Sequence, residues 1–343
     1  VSTTVTSKPF GRLQDGQTAY LFTLTNSSGA SVQITNFGAA LVSAILPDKH
    51  GVLGPIALGF DTIDAYETNP AYVGVVIGPV ANRISGGQFS LDGNTYTLMA
   101  NEGETCLHSG AAGWHNKLWS VEPISQGLRL SYETKENAGG FPGTISAKIQ
   151  ITFDDDNRLS YSLRAKATAP TPIAMTRHEY FNLADGGASE IHDHIVQIHS
   201  TKFADQAKDQ TSNGAVKISE GTVNALASPT PLTRFKMQDG LLPFDHHHIV
   251  DGTGLRPMAR VQSPHSGRQL DVLGTADGIQ FYTGQSMAVC KGRDGITYGP
   301  CHGFALEAQA RPNAVNMSNF PSIILRPGSL YEDIIVYHFG LID

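Results

Sequence analysis

The chain has 343 residues, a formal net charge of -7 and 16 % charged residues, well under the roughly 25 % usual for globular chains. With no Lys/Arg cluster and no basic surface for a phosphate backbone, nucleic acid is not expected as a partner. No secretory signal and no apolar run of membrane-spanning length is visible, which argues against a membrane partner.

Taken in chain order, the elements are strands joined by tight turns. Tyr20, Phe22 and Leu24 alternate, turn at Asn26 to Gly29 and continue in Val32 and Ile34. Thr62 to Tyr66 offers a single helical turn. Phe89 and Leu91 turn at Asp92-Gly93 into Tyr96 and Leu98. The clearest period of two runs through Ile145, Ala147, Ile149, Ile151 and Phe153, reverses at Asp154-Asp-Asp-Asn157 and returns through Leu159, Tyr161, Leu163 and Ala165. Gly240 to Leu242 is a second short helical candidate. Arg260 to Ser263 turns at Pro264 to Gly267 into Gln269 to Val272. The final pair places Ile323 to Leu325 before a turn at Pro327-Gly328 and resumes with Ile334, Val336 and His338.

Hairpins without interleaved helices argue for an all-β sandwich or barrel and against a doubly wound parallel sheet. No linker-like or repeated segment divides the chain, so one domain over 1–343, built as two packed sheets, is expected. Cys106, Cys290 and Cys301 show no metal-ligand spacing and read as reduced, mostly buried thiols. The sequence starts at Val1 rather than Met: a cytoplasmic location is expected for this soluble chain, with a periplasmic or secreted one left open. Nothing in the sequence indicates an oligomeric state.

One strand breaks its own pattern. In Gly303-Phe-Ala-Leu-Glu307-Ala-Gln309, Phe304 and Leu306 point one way while Glu307 shares the other face with Gly303 and Ala305, which are too small to cover it. A carboxylate facing such a space meets a partner or a ligand, because burying it alone is costly. Four other polar residues lie in strand-like segments or at their ends: Arg83, His108, His178 and Asp245. Singly, each has an ordinary account: a core histidine, a turn or cap aspartate, a surface ion pair. As a set they leave general acid/base chemistry, since no G-x-S-x-G, P-loop or G-x-G-x-x-G is present. His192-Asp-His194 and His246-His-His248 match no zinc pattern, so no metal is expected, and His246 to His248 read as lining or flanking the site.

The segments that carry these residues resemble the aldose 1-epimerase family, the galactose mutarotases, over nearly the whole chain. In family order they are Gly78-Pro-Val-Ala-Asn-Arg-Ile84, Gly87-Gln-Phe89, Leu91-Asp-Gly93, Asn101-Glu-Gly103, Leu107-His-Ser-Gly110 and His178-Glu-Tyr-Phe-Asn-Leu183. Phe244-Asp-His246, Phe281-Tyr-Thr-Gly284, Leu306-Glu-Ala-Gln309, Arg311-Pro-Asn-Ala-Val-Asn316 and Phe320-Pro321 follow. The resemblance implies a large antiparallel β-sandwich of the galactose mutarotase type with a monosaccharide in an open cleft. It implies Glu307 as the base that removes the anomeric proton and His178 as the acid that protonates the ring oxygen. Arg83, His108 and Asp245, with Asn82 beside them, would hold sugar hydroxyls or the ring oxygen, and the chemistry requires no cofactor.

Three departures stand out: Ser109 where a second glycine is frequent, Glu179 where a small residue or proline is common, and Ala308 in place of a threonine. They are expected to bear on substrate preference more than on reaction type, with Glu179 alternating away from His178. Two alternatives follow from the same resemblance. One is a hexose-6-phosphate 1-epimerase recruiting Arg177 and Arg311 for the phosphate; the other is a non-catalytic carbohydrate sensor.

Overall fold

The computed structural model describes residues 3–343. Three larger sheets carry the fold. The first is a sequential meander of five strands, Thr4–Arg12, Thr18–Thr25, Ser31–Thr35, Leu41–Pro47 and Leu53–Pro55. The second has nine strands, in the order Ser120–Ile124, Gly127–Glu133, Ile145–Phe153, Arg158–Ala167, Tyr331–Leu341, Arg268–Gly274, Arg256–Ser263, Ile195–Ile198 and Thr230–Pro231. The third has six, in the order Tyr180–Phe181, Phe304–Gln309, Gly278–Tyr282, Asp245–Ile249, Lys202–Gln206 and Ser212–Ile218. The ladders joining these strands are antiparallel.

The strongest period of two yields the expected hairpin. Ile149 faces Leu163 and Ile151 faces Tyr161, and Ile145, Ala147, Ile149, Ile151 and Phe153 are all buried while Lys148 and Gln150 between them are exposed. Burying an aliphatic or aromatic side chain of this size contributes about 1.5–3 kcal/mol, and that gradient selects which face turns inward. The same contiguous apolar cluster takes Leu24 and Ile34 from the first sheet, Ile149 and Tyr337 from the second, and Phe281 and Leu306 from the third.

The all-β reading holds, with three corrections of detail. The chain builds three large sheets rather than two. Ile324–Leu325 does not form a hairpin with the last strand: it pairs with Thr171–Pro172, and Tyr331–Leu341 inserts between Arg158–Ala167 and Arg268–Gly274. Alternation marks a strand and its buried face, here Ile335, Tyr337 and Phe339, but it does not choose the neighbour. Gly240 to Leu242 is a bend, with Gly240 at φ 85°, whereas Ile63–Glu67 does form a helical turn. No helix among the described residues is long and apolar enough to cross a membrane.

Candidate active site

The floor of the site is one face of the six-stranded sheet. The register places His247, Gln280 and Glu307 in one cross-strand row, and Asp245, Tyr282 and Ala305 in the next. Residues directly opposite one another share a face, so Glu307 and Asp245 emerge on the same side, with Ala305 leaving space beside the glutamate. A cleft of about 270 Å³ opens above this face.

One wall is made of two turns stitched together. Arg83–Ile84 pairs with Cys106–Leu107, and just outside this short ladder Asn82 and His108 take left-handed conformations, φ 63° and 50°. The His108 N–H donates to the Asn82 carbonyl at 3.0 Å, and the Asn82 N–H donates to His108 Nδ1 at 3.1 Å. That second bond fixes the histidine tautomer: Nδ1 accepts, so the neutral ring carries its proton on Nε2. Burial, followed by the neighbouring His178, His115 and Arg83, holds His108 well below the usual histidine range, so it stays neutral.

Arg83 is the cation of the cleft. Its guanidinium donates to Glu102 from Nε at 2.5 Å and from Nη2 at 3.0 Å, and to Gln210 Oε1 at 2.8 Å, while Nη1 lies 3.7 Å from Asp245 Oδ2. Asp245 is raised above the usual aspartate range by burial, with Arg83 and a hydrogen bond from Gln280 working against that rise. Asp245 Oδ1 accepts from Gln280 Nε2 at 2.7 Å, and the residue lines the cleft.

His178 lies in a two-residue break between the strands Thr176–Arg177 and Tyr180–Phe181. Its Nε2 stands 3.7 Å from Glu307 Oε1, and both side chains are about 95 % buried or more. Burial pushes His178 down to about 4. It pushes Glu307 well above the carboxylate range, with the Asp245 charge adding to the rise and Arg83 opposing it. Between these limits the pair binds one proton, which leaves one group to give a proton and one to take it.

All six residues singled out from the sequence line this one cleft: Asn82, Arg83, His108, His178, Asp245 and Glu307. Tyr72, Tyr180, Tyr282 and Glu102 line it as well and had not been given a role, and Gln280 supports Asp245 from below. His246 to His248 do not line it. His246 packs edge-on against Phe203, while His247, in the row of Gln280 and Glu307, and His248, on the other face, are both buried. His192 and His194 are tied to the backbone through Gly240 O, Ile191 O and the Leu183 N–H.

Ligand atoms of His108, His178 and Glu307 lie within 4.8 Å of one another. A metal bound there would require His108 Nε2 to lose its proton and Nδ1 to stop accepting from Asn82, so the donor set fits a hydrogen-bonded ligand better than a cation. The three departures all lie off the cleft. The Ser109 hydroxyl is linked to both the N–H and the carbonyl of Val80, the Ala308 carbonyl accepts from Thr176 Oγ1, and Glu179 faces Arg177. Arg177 and Arg311 are likewise away from the cleft, paired with Glu179 and Asp277.

Known proteins resemble this chain over nearly its whole length. The family model described as aldose 1-epimerase matches residues 20–338. The chain is 35 % identical over 340 residues to the galactose mutarotase of Bos taurus, covering 98 % of this chain and 99 % of that protein. It is 31 % identical over 336 residues to the aldose 1-epimerase of Escherichia coli K12, covering 95 % and 96 %. Among solved structures, an aldose epimerase homologue from C. elegans superposes with a TM-score of 0.88 at 30 % identity, covering 93 % of this chain and 98 % of that one. Galactose 1-epimerase from Lactobacillus acidophilus shares the fold, with a TM-score of 0.84 at 21 % identity over the full length of both chains.

Proposed function

The chain belongs to the aldose 1-epimerase family and is an isomerase of sugar anomers, and from that premise we propose that it acts on a neutral aldohexose such as galactose or glucose, with Glu307 and His178 as its base and acid. The observation that carries the assignment is the buried His178–Glu307 pair, 3.7 Å apart, lining an open cleft. Glu307 takes the proton of the C1 hydroxyl, the C1=O bond forms as the C1–O5 bond breaks, and O5 receives its proton from His178. Rotation about C1–C2 in the open aldehyde and reclosure with the roles reversed give the other anomer. Every atom and proton is returned.

The reaction needs one proton shared between acid and base. In the empty cleft burial favours that proton on Glu307 rather than His178. A bound sugar reverses the preference, because hydroxyl donors to the carboxylate and the nearby Arg83 both favour the ionised glutamate. Arg83, Asp245 and the Nε2–H of His108 present both donors and acceptors to sugar hydroxyls, and Asn82 acts through the tautomer it imposes on His108. We also read 1–343 as one domain, supported by the apolar cluster that joins the three sheets.

Polarimetry on freshly dissolved α-D-galactose and α-D-glucose tests this reading. The wild-type protein should speed the approach to anomeric equilibrium, and Glu307→Gln should lower kcat by about 10²- to 10⁴-fold, the usual worth of a positioned acid or base. A wild-type protein no faster than buffer would sink the reading; a folded, near-normal Glu307→Gln would remove Glu307 from the mechanism.

A further inference from the structure

We propose that the buried Arg177–Glu179 ion pair, together with Tyr161 and Tyr337, is the positioning device that holds His178 against Glu307. The inference rests on the anomerase reading above and concerns residues that line no part of the cleft.

His178 has little else to orient it. It and Glu179 fall in the gap between two short strands, so no ladder spans them. Its Nδ1 is buried and makes no hydrogen bond within the protein, unlike Nδ1 of His108. A catalytic imidazole is ordinarily aimed by the bond at its second nitrogen. Here the direction must come from the backbone and from the rings of Tyr180 and His108, at centroid distances of 5.0 and 5.4 Å.

The two residues flanking His178 supply the backbone grip. Arg177 is 0 % exposed and Glu179 1 %. The guanidinium reaches Glu179 Oε1 from Nη2 at 2.6 Å and from Nε at 2.8 Å, and its remaining bonds go to the Ala39 carbonyl at 2.8 Å and the Gly74 carbonyl at 2.9 Å. Gly74 in turn donates its N–H to the His178 carbonyl at 2.9 Å, and the His178 N–H donates to Val75. The cation thus fixes the same loop residue that fixes His178.

The other end of the network reaches the base. The Tyr161 hydroxyl donates to Glu179 Oε1 at 3.1 Å, beneath a guanidinium centred 4.4 Å over the Tyr161 ring. The Tyr337 hydroxyl shares its proton between Glu179 Oε2 at 3.2 Å and the Leu306 carbonyl at 3.3 Å. Thr176 Oγ1 donates to the Ala308 carbonyl at 2.7 Å. The residues before and after Glu307 are therefore tied to the segment that carries His178.

Stability alone is a poor reason for such a pair. Removing two charges from water costs several kcal/mol per ion, and apolar replacements of similar volume are often neutral or stabilising. What an apolar filling lacks is direction. Directional bonds that hold two reacting groups at a set spacing matter because a misplacement of about 1 Å can cost on the order of 100-fold in rate.

The test compares Arg177→Met/Glu179→Leu, which strands no charge, with Glu179→Gln and with Arg177→Lys. In the double variant, folded by circular dichroism, kcat for galactose should fall by about 10- to 100-fold with KM within about threefold. Arg177→Lys, which keeps the charge without the fork, should fall in between. Glu307 is faced by Asp245, Arg83, His178, Tyr180 and Tyr282 on the cleft side and feels the Glu179 charge from behind, which raises it. Glu179→Gln should therefore shift the alkaline limb of the kcat/KM profile to lower pH through charge alone, whereas a fall in kcat at nearly constant KM is what a merely structural pair would not show. A double variant within twofold of wild type overturns the proposal, whatever the limb does in Glu179→Gln. It leaves the anomerase reading intact as long as wild type and Glu307→Gln still differ. Should the double variant not fold, Glu179→Gln decides alone: an unchanged kcat overturns it.

Discussion

Gln280 donates from Nε2 to Asp245 Oδ1 at 2.7 Å while standing directly across the ladder from Glu307. One neutral side chain, 1 % exposed, thus sets the direction of a cleft carboxylate and backs the proposed base. Its own Oε1 has no partner within the protein, so packing and this one bond hold it.

Gln280→Leu keeps the volume and removes the bond. A hydrogen bond to a charged group contributes about 1.5–3 kcal/mol, so KM for galactose should rise roughly 10- to 100-fold while kcat changes less. Initial rates by polarimetry over a range of sugar concentrations measure both, and an unchanged KM would show that Asp245 does not depend on Gln280 for its direction.

The pH profile of kcat/KM, which reports the free enzyme, follows from the shared proton. Below the pKa of His178, about 4, both members are protonated and no base remains. Above the raised pKa of Glu307 both are deprotonated and no acid remains. A bell is expected whose acid limb lies near 4 and whose alkaline limb lies above the ordinary glutamate range, both belonging to the pair rather than to one residue. A profile still rising from pH 5 to pH 7 with the slope of a single group near 6.5 would contradict the burial of His178.

How much of this was legible beforehand depends on which residues carried it. The hairpin of Ile145–Phe153 and Arg158–Ala167 was readable because a half-buried ladder imposes a period of two and Asp154 to Asn157 marks its reversal. The partner of Tyr331–Leu341 was not, because alternation specifies a face and not a neighbour. Glu307 announced itself as a carboxylate among small residues. Gln280 carried the same signal, a lone polar residue in Ile279 to Tyr282, but it acquires meaning only once the register sets it opposite Glu307. Asn82 and His108 sit in left-handed turns that no periodicity marks; His108 stood out as a polar residue at a strand end, while only the order of family segments pointed to Asn82. His246 to His248 flank the cleft without lining it, because only the first residue of their strand, Asp245, reaches the cleft.

Charge should make the cleft discriminate against phosphorylated sugars. Glu102, Asp245 and Glu307 line it, and its one lining Lys or Arg among the described residues, Arg83, is already held by Glu102. Two like charges about 4 Å apart repel by about 1 kcal/mol in water and about 4 kcal/mol at an effective dielectric of 20. We expect kcat/KM for glucose 6-phosphate to be about 100-fold below that for glucose. A phosphate ester turned over as well as the free sugar would reverse the substrate assignment.

Acid should unfold this protein earlier than its carboxylates alone would require. His115, His178 and His194 are pushed down by burial to about 4, and His247 and His248 to about 3, against about 6.5 in an unfolded chain. A depressed folded pKa contributes stability that is present above 6.5 and is lost as pH falls toward the folded value, because only the unfolded chain takes up the proton. Each such histidine costs on the order of 1 kcal/mol per pH unit inside that window. The raised carboxyls of Asp245, Glu307 and Asp333 act in the opposite sense, but they are three against eight, since His108, His199 and His246 are lowered as well. Thermal melts at pH 7, 6 and 5 should show Tm falling at each step. His248 makes no hydrogen bond through either ring nitrogen, so His248→Leu breaks none and should flatten the dependence; a wild-type Tm that holds steady from pH 7 to pH 5 would show that these histidines are not buried in their neutral form.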